Sequence, residues 1–162
     1  MTDPNPCRII GVLDDGPASL TPTALAHIRT ADVIVGAPRT LALFESQFKP
    51  GATTHDLTGQ LKAVPGWIDA AREAGQRCVV LATGDPLCWG IAPYLAARLC
   101  TAALDILPNV STLQLACARL GMPWQDARLF SVHAKDAGPW QRGAALWEKA
   151  PVGRRRGAFM VQ

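Results

Sequence analysis

The chain has 162 residues, of which 49% are hydrophobic and 18% are charged, and its formal net charge is +3. This composition is typical of a globular chain with a buried core and excludes a disordered one. The mild positive charge does not by itself indicate a nucleic-acid partner, and it is equally compatible with a substrate that carries several carboxylates.

The cysteines and histidines are scattered along the sequence. Five cysteines show neither CxxC spacing nor a framework pattern, which indicates free thiols in a reducing compartment. The three histidines are also unclustered, so no metal site is expected. Residues 1–6 do not resemble a signal peptide, and no apolar run approaches the roughly 20 residues that span a bilayer. We therefore expect a cytoplasmic protein without a membrane partner.

The first half of the chain alternates predicted strands and helices. Apolar, β-branched runs predict the strands, and capping residues and helical spacing predict the helices. In order they are a strand at residues 8–13, a helix from Pro22 with Thr21 as its N-cap, a strand at 32–36, a short helix at 41–44 and a helix at 61–75. Residues 45–59 show little periodicity and predict an irregular connection.

The second half continues the alternation. Residues 79–82 predict a buried strand, after which Gly84 allows a tight turn, Asp85 is a predicted N-cap and Pro86 a predicted first helical residue. The later predicted elements are a helix at 91–99, strands at 104–107 and 128–132, a helix from 112 to Gly121 between them and a last helix at 139–149. Ser111 and Gln114 form a predicted capping box for that middle helix. Residues 153–157 have no evident place in a core.

The alternation predicts an α/β fold, a mostly parallel five-stranded sheet with helices on both faces. Loops 14–19, 83–86 and 108–112 follow strands at one edge of the sheet, and each is expected to lead into a helix N-terminus. Free N–H groups there favour a small anionic or zwitterionic ligand. Neither GxxxxGK[ST] nor GxGxxG occurs, so an ordinary nucleotide-binding α/β domain is a distant alternative.

Acidic residues are the first candidates for chemistry at this edge. Asp14 and Asp15 form an acidic pair suited to catalysis or ligand binding. The alternative is that they are turn residues, because Asp favours turns and caps. Asp85 has the same two interpretations, as a ligand-binding carboxylate or a plain N-cap.

Three further polar residues are candidates. Ser111 and Thr112 lie in the third loop, and the capping box offers a structural explanation for Ser111. His133 ends the predicted strand at 128–132, where it could face the ligand cleft for acid–base work. It has no identified partner, and no arrangement of Ser, His, Cys and Asp specifies nucleophilic catalysis.

Five segments, in this order and spacing, resemble the S-adenosylmethionine-dependent tetrapyrrole (corrin/porphyrin) methylases, and among them the precorrin-6Y branch. The resemblance runs from residue 8 to residue 135. The segments are Ile10-Gly11-Val12-Leu13-Asp14-Asp15-Gly16 with Leu20-Thr21-Pro22; Asp32-Val33-Ile34-Val35-Gly36 with Arg39 and Leu41; Ala82-Thr83-Gly84-Asp85-Pro86-Leu87 with Gly90; Pro108-Asn109-Val110-Ser111-Thr112; and Ala118-Arg119-Leu120-Gly121 with Trp124-Gln125-Asp126-Ala127.

The resemblance implies a methyltransferase that uses S-adenosylmethionine as methyl donor. The methyl group would pass by direct displacement to a carbon of a reduced, polycarboxylated precorrin in cobalamin biosynthesis, without a covalent enzyme intermediate. The family's donor contacts carry over to Gly84, Asp85, Pro86, Ser111 and Thr112, mostly through backbone.

The first loop lies beside the macrocycle in the family. Asp14 and Asp15 therefore become candidates for substrate positioning or proton removal, with Gly16 and His133 as further substrate-binding candidates. Leu13 departs from the family pattern, which usually has glycine there, and its branched side chain is expected to crowd the loop.

The resemblance also implies a domain organisation and partners. Residues 1–135 correspond to the N-terminal α/β domain of a methylase, and 136–162 to a divergent or truncated extension in place of a second domain. A homodimer is expected, and the decarboxylating methyltransferase domain is a candidate partner in trans. The alternative function is a non-catalytic tetrapyrrole-binding or scaffold domain that keeps the methylase fold.

Overall fold

The computed structural model describes residues 5–125, 128–131 and 158–161. The chain divides into two compact units, Met1–Val110 and Ser111–Gln162. The strands and α-helices of the first unit are, in order, β1 (Cys7–Val12), α1 (Pro22–Thr30), β2 (Val33–Gly36), α2 (Pro38–Phe44), β3 (Thr53–Asp56), α3 (Val64–Glu73), β4 (Cys78–Thr83), α4 (Ala92–Ala96) and β5 (Leu104–Leu107).

The first unit is built on a five-stranded sheet in the order β3-β2-β4-β1-β5. All four strand pairs are parallel, and Ile9 in β1 lies opposite Val80 in β4 and Ile106 in β5. The central strands are mostly apolar and buried, because helices cover both faces of the sheet. The predicted fold class, a five-stranded parallel sheet with helices, is confirmed.

Alternate residues of the central strands pack into two separate hydrophobic clusters, one on each face of the sheet. On one face, Ile9 and Val80 pack in a cluster with α3 and α4. On the other, Ile10 and Leu81 pack in a cluster with α1 and α2. This division follows from the two-residue period of a strand, which sends successive side chains to opposite faces. Helices α1 and α2 therefore cover one face of the sheet, and α3 and α4 cover the other.

The predicted irregular connection at residues 45–59 contains a strand, β3, that the sequence did not indicate. It is the outer neighbour of β2. Thr53, Thr54 and Asp56 are exposed, so β3 shows neither a continuous apolar run nor an alternation of buried and exposed residues. An exposed edge strand needs neither pattern, and only the β-branched threonines favoured it.

The second unit contains α5 (Thr112–Leu120), β6 (Arg128–Ser131) and β7 (Ala158–Val161). The predicted strand at 128–132 exists as β6, but it pairs in parallel with β7 in a separate two-stranded sheet and is not the fifth strand of the large sheet. The predicted helix at 139–149 and the tail at 153–157 lie outside the described residues. The predicted domain boundary at residue 135 stays a prediction.

The ranges that the structure describes contain no helix long and apolar enough to cross a lipid bilayer. In the same ranges, no three His, Cys, Asp or Glu side chains come together in a way that could hold a metal ion.

Candidate functional site

Three chain segments, which follow β1, β4 and β5, lie with their backbones in contact at the carboxyl edge of the sheet. The N–H of Gly84 donates to the carbonyl oxygen of Val12 over 2.8 Å. A methyl group placed on Gly11 would lie 2.3 Å from the carbonyl oxygen of Gly84 and 2.8 Å from the backbone nitrogen of Asn109. Contacts under 3 Å are not tolerated, so only glycine fits at residue 11. The ends of β1, β4 and β5 are thereby held together.

Asn109 joins two of these segments through its side chain. Its Nδ2 donates to the carbonyl oxygens of Gly11 (3.1 Å) and Ser19 (3.2 Å), and its Oδ1 accepts from the N–H of Val110 (2.8 Å). The amide thus ties the loop after β1 to the end of β5. No role was predicted for Asn109, because asparagine is common in loops and the two carbonyls that its amide reaches lie 98 and 90 residues away along the chain.

The loop after β1 displays the predicted acidic pair. Asp14 and Asp15 are both exposed. The Asp14 carboxylate forms an ion pair with Arg39, with Oδ2 3.0 Å from the guanidinium. The Asp15 side chain caps no backbone group, although Asp15 precedes the 3₁₀ turn Gly16–Ser19. Gly16 has a φ of +61°, which favours glycine, and its N–H donates to the carbonyl oxygen of Leu13.

Leu13 is accommodated in this loop. It is half-buried, and its N–H donates to Oγ of Ser19 over 3.3 Å. The Ser19 hydroxyl in turn donates to the carbonyl oxygen of Gly16 over 2.7 Å. Among the described residues Trp89 is the only non-glycine residue with a positive φ, so the backbone at Leu13 does not call for glycine. The predicted crowding does not prevent the loop from closing.

The segment after β4 is a turn rather than the predicted helix start. Oδ1 of Asp85 accepts from the N–H of Leu87 over 2.9 Å, and the Asp85 carbonyl accepts from the N–H of Cys88. Helix α4 begins only at Ala92. The prediction that Asp85 caps a helix beginning at Pro86 is therefore wrong. An Asp side chain binds the N–H two residues on in a turn as readily as it caps a helix, and the sequence does not distinguish the two.

The same turn presents an apolar depression of about 480 Å³, lined by Leu87, Cys88, Trp89, Gly90 and Pro93. Leu87 and Trp89 are exposed. Trp89 has a φ of +52°, a conformation that bulky residues rarely adopt. Gly90 cannot carry a side chain, because a methyl group there would lie 2.4 Å from the carbonyl oxygen of Pro86. The turn is therefore a fixed, compact segment.

The first unit brings together six of the predicted site residues at one edge of its sheet. They are Asp14, Asp15, Gly16, Gly84, Asp85 and Pro86. Ser111 and Thr112 belong to the second unit. There the predicted capping box is confirmed, since Ser111 Oγ accepts from the N–H of Gln114 and the Gln114 side chain accepts from the N–H of Ser111. His133 lies outside the described residues.

The topology explains why this edge can receive a ligand. After β1 the chain passes to α1 on one face of the sheet, and after its neighbour β4 it passes to α4 on the other face. Such a reversal opens a crevice at the carboxyl ends of parallel strands, where open α/β sheets bind ligands. The fold is that of an α/β domain, and this edge carries carboxylates and glycine turns rather than a phosphate motif.

The sequence profile of the Tetrapyrrole (Corrin/Porphyrin) Methylases matches residues 7–161, and the chain belongs to this family. A curated relative, the cobalt-precorrin-7 C(5)-methyltransferase of Salmonella typhimurium, is 35% identical over 127 residues, which are 78% of this chain and 61% of the relative. The decarboxylating precorrin-6Y C(5,15)-methyltransferase of Sinorhizobium sp is 39% identical over 127 residues, 78% of this chain and 30% of the relative.

Solved structures share the fold. The cobalamin biosynthesis precorrin-6Y methylase of Archaeoglobus fulgidus superposes with a TM-score of 0.65 at 24% identity, covering 82% of this chain and 67% of that chain. The cobalt precorrin-4 methyltransferase of cobalamin biosynthesis gives a TM-score of 0.64 at 22% identity, covering 79% and 59%. The chain spans about three fifths of the Salmonella relative and under a third of the Sinorhizobium relative.

Proposed function

We propose that this chain serves as the methylase domain of an S-adenosylmethionine-dependent C-methyltransferase that acts on a precorrin in cobalamin biosynthesis, with precorrin-6Y as the substrate. The observation that carries the proposal is the contact between Gly84 and Val12 at the carboxyl end of the sheet, next to Asp85. The turn that begins at Gly84 follows the third predicted strand, and membership of the methylase family supports a donor-binding function for it.

The described residues fit such a donor. Gly84 has a φ of +71°, so its turn offers backbone groups without a side chain in the way. One carboxylate oxygen of Asp85 accepts from Leu87, which leaves the second oxygen for a positively charged group of the donor. The exposed apolar surface of Leu87 and Trp89 lies directly beside it and suits a flat ring.

The roles of the chain's residues follow from these positions. Gly84, Asp85 and Pro86 bind the donor, and Ser111 and Thr112 are further proposed donor-binding residues. When bound, S-adenosylmethionine supplies an activated methyl group for direct displacement, so the rate depends on the alignment of the reacting atoms. The fixed turn after β4 provides this alignment, because its bonds from Leu87 and Cys88 leave it little freedom.

Asp14, Asp15 and Gly16 line the macrocycle site in the loop after β1, and His133 is a further substrate-binding candidate. The exposed carboxylate of Asp15 accepts hydrogen bonds from pyrrole N–H groups or takes up the proton that methylation releases, while Asp14 is paired with Arg39. We further propose a homodimer, with the decarboxylating methyltransferase domain as a partner in trans. None of the five cysteines forms a disulfide in the described residues, which suits the cytoplasm.

Calorimetric titration with S-adenosylhomocysteine tests the donor site. The wild type should bind, and Gly84→Ala should bind at least about ten-fold more weakly, because alanine disfavours the positive φ that shapes the turn. Gly59→Ala is the matched control. Gly59 has the same φ of +71° but nothing within 4 Å of an added methyl group.

Two outcomes would contradict the proposal. A folded wild type that binds no donor analogue at millimolar concentration is not a working methylase domain. If it then still changes the spectrum of an added corrinoid, the alternative function, a non-catalytic tetrapyrrole-binding domain, replaces it. Equal losses in Gly84→Ala and Gly59→Ala would show that backbone strain, rather than the turn after β4, weakens binding.

A further inference from the structure

Arg39 occupies an unusual position at the carboxyl edge of the sheet. It lies in the first turn of α2, two residues beyond Ala37, the residue that follows β2. In the described segments that run from β1, β2, β4 and β5 into the next helical turn, Arg39 is the one cation, whereas Asp14, Asp15 and Asp85 are acidic. An anionic ligand approaching the ends of β1, β4 and β2 therefore meets one positively charged side chain, and Lys62 lies further out, after the edge strand β3.

The ion pair between Arg39 and Asp14 spans the site. Strand β4 lies between β1 and β2, so the ends of β1 and β2 are about 10 Å apart, two strand spacings. A guanidinium from the β2 side that lies 3.0 Å from a carboxylate on the β1 side must therefore reach past the end of β4. Gly84 follows directly after that strand.

The Asp14 carboxylate is also easily displaced from Arg39. The Arg39 side chain is 78% exposed and the Asp14 side chain 70% exposed. Exposed ion pairs contribute little to stability, because water and salt compete with them. Arginine can bind a carboxylate through two parallel N–H donors, so a carboxylate of a ligand can take the place of the Asp14 carboxylate on the guanidinium.

We propose that Arg39 binds a carboxylate of the polycarboxylated macrocycle, and that Asp14 holds the guanidinium in place until the substrate carboxylate displaces it. This inference rests on the proposed function, because it names the part of the substrate that this edge recognises. Arg39 then determines specificity by contact with substrate, and Asp14 is a positioning residue that competes with substrate for Arg39.

Because Asp14 competes with substrate for Arg39, substitutions of these two residues should change binding in opposite directions. Binding of a porphyrin octacarboxylate is measured by fluorescence quenching, with a tetracarboxylate of the same ring for comparison. Arg39→Gln should weaken octacarboxylate binding about ten-fold, the effect of losing one charge-assisted contact. Asp14→Asn should tighten binding about three-fold, because the internal competitor is gone. The tetracarboxylate should respond less to both changes.

Two controls separate the contact from net charge. Arg29→Gln removes the same charge from an exposed arginine in the last turn of α1, which leads to the opposite edge of the sheet, and should change binding less than about two-fold. In the double variant, Asp14→Asn should add nothing to Arg39→Gln. A gain that persists without Arg39 would come from overall charge and would overturn the proposal.

The remaining outcomes also decide the matter. If the wild type binds the octacarboxylate but Arg39→Gln binds as well as wild type, the role of Arg39 is refuted and the proposed function stands. If the wild type binds S-adenosylhomocysteine but no porphyrin carboxylate, this inference fails while the donor site remains. If it binds neither, the inference and the proposed function fail together.

Discussion

Substitution of Gly11 by alanine tests the close approach of three chain segments at the site. The added methyl group would lie 2.3 Å from the Gly84 carbonyl oxygen, 2.8 Å from the Asn109 nitrogen and 2.9 Å from the Asn109 Cβ. Two of these atoms are backbone, and the sheet fixes the strand ends that carry them. Overpacking of a fixed environment typically costs about 1–3 kcal/mol, and we expect the upper end of that range here.

Urea unfolding, followed by circular dichroism, measures this cost. With a denaturant slope of about 1–3 kcal/mol/M, a loss of about 3 kcal/mol lowers the midpoint by at least about 1 M. Gly36→Ala should cost less, because its nearest neighbour is the flexible end of Leu41 at 3.2 Å. Gly66→Ala meets nothing within 4 Å on helix α3 and should stabilise the protein by about 0.5–1 kcal/mol.

The order of the three variants is the decisive result. A midpoint for Gly11→Ala equal to that of Gly66→Ala would refute the description of the site as a meeting of three backbones. In a folded Gly11→Ala variant, binding of S-adenosylhomocysteine should also weaken, because the loop after β1 can relieve the clash only by moving away from Gly84.

Hydrogen bonds elsewhere give three further expectations. Asp32→Asn should flatten the acid limb of stability against pH. The bond from Lys49 and the N–H of Arg77 hold the pKa of the Asp32 carboxyl below its usual value. In the wild type this stabilisation is present above about pH 3.9 and is lost as pH falls through the lower folded pKa, so parallel urea midpoints down to about pH 2.5 would contradict it. Ser111→Ala should cost about 1 kcal/mol through loss of the α5 cap, seen as earlier loss of helical signal in urea; equal loss in Thr112→Ala would refute the cap. Asn109→Ala should cost about 1–3 kcal/mol in urea unfolding, because the Gly11 and Ser19 carbonyls lose a donor, and an unchanged midpoint would argue against those bonds.

The elements that could be predicted are those whose burial leaves a pattern in the chain. Strands β1, β2 and β4 are covered on both faces, so each is mostly apolar and was predicted to within one or two residues. The N-caps at Thr21 and Ser111 were also predicted, because a cap bonds a residue three positions away along the chain.

What could not be predicted depends on residues far apart in the sequence. β3 is a strand only because β2 offers it a pairing edge, and its own residues are polar. The bonds from Asn109 to Gly11 and Ser19 cross about ninety residues. The pairing of Asp14 with Arg39 required the strand order, which places β4 between their two loops. Local pattern carries none of this information.

Two glycines of the site, Gly84 and Gly11, are required for different physical reasons, which the sequence motif around Gly84 does not show. Gly84 is glycine because its φ is +71°, a local backbone requirement that several types of tight turn share. Gly11 is glycine because the Gly84 carbonyl and Asn109 occupy the space of its missing side chain. Gly11 therefore depends on the position of the Gly84 turn, and the Gly84 turn is fixed against β1 by its bond to Val12. A strand-to-helix connection that packs against no neighbouring strand needs only a glycine of the first kind, one with a positive φ. The second kind marks a turn that packs directly against its neighbouring strand, a contact that the common sequence pattern alone does not show.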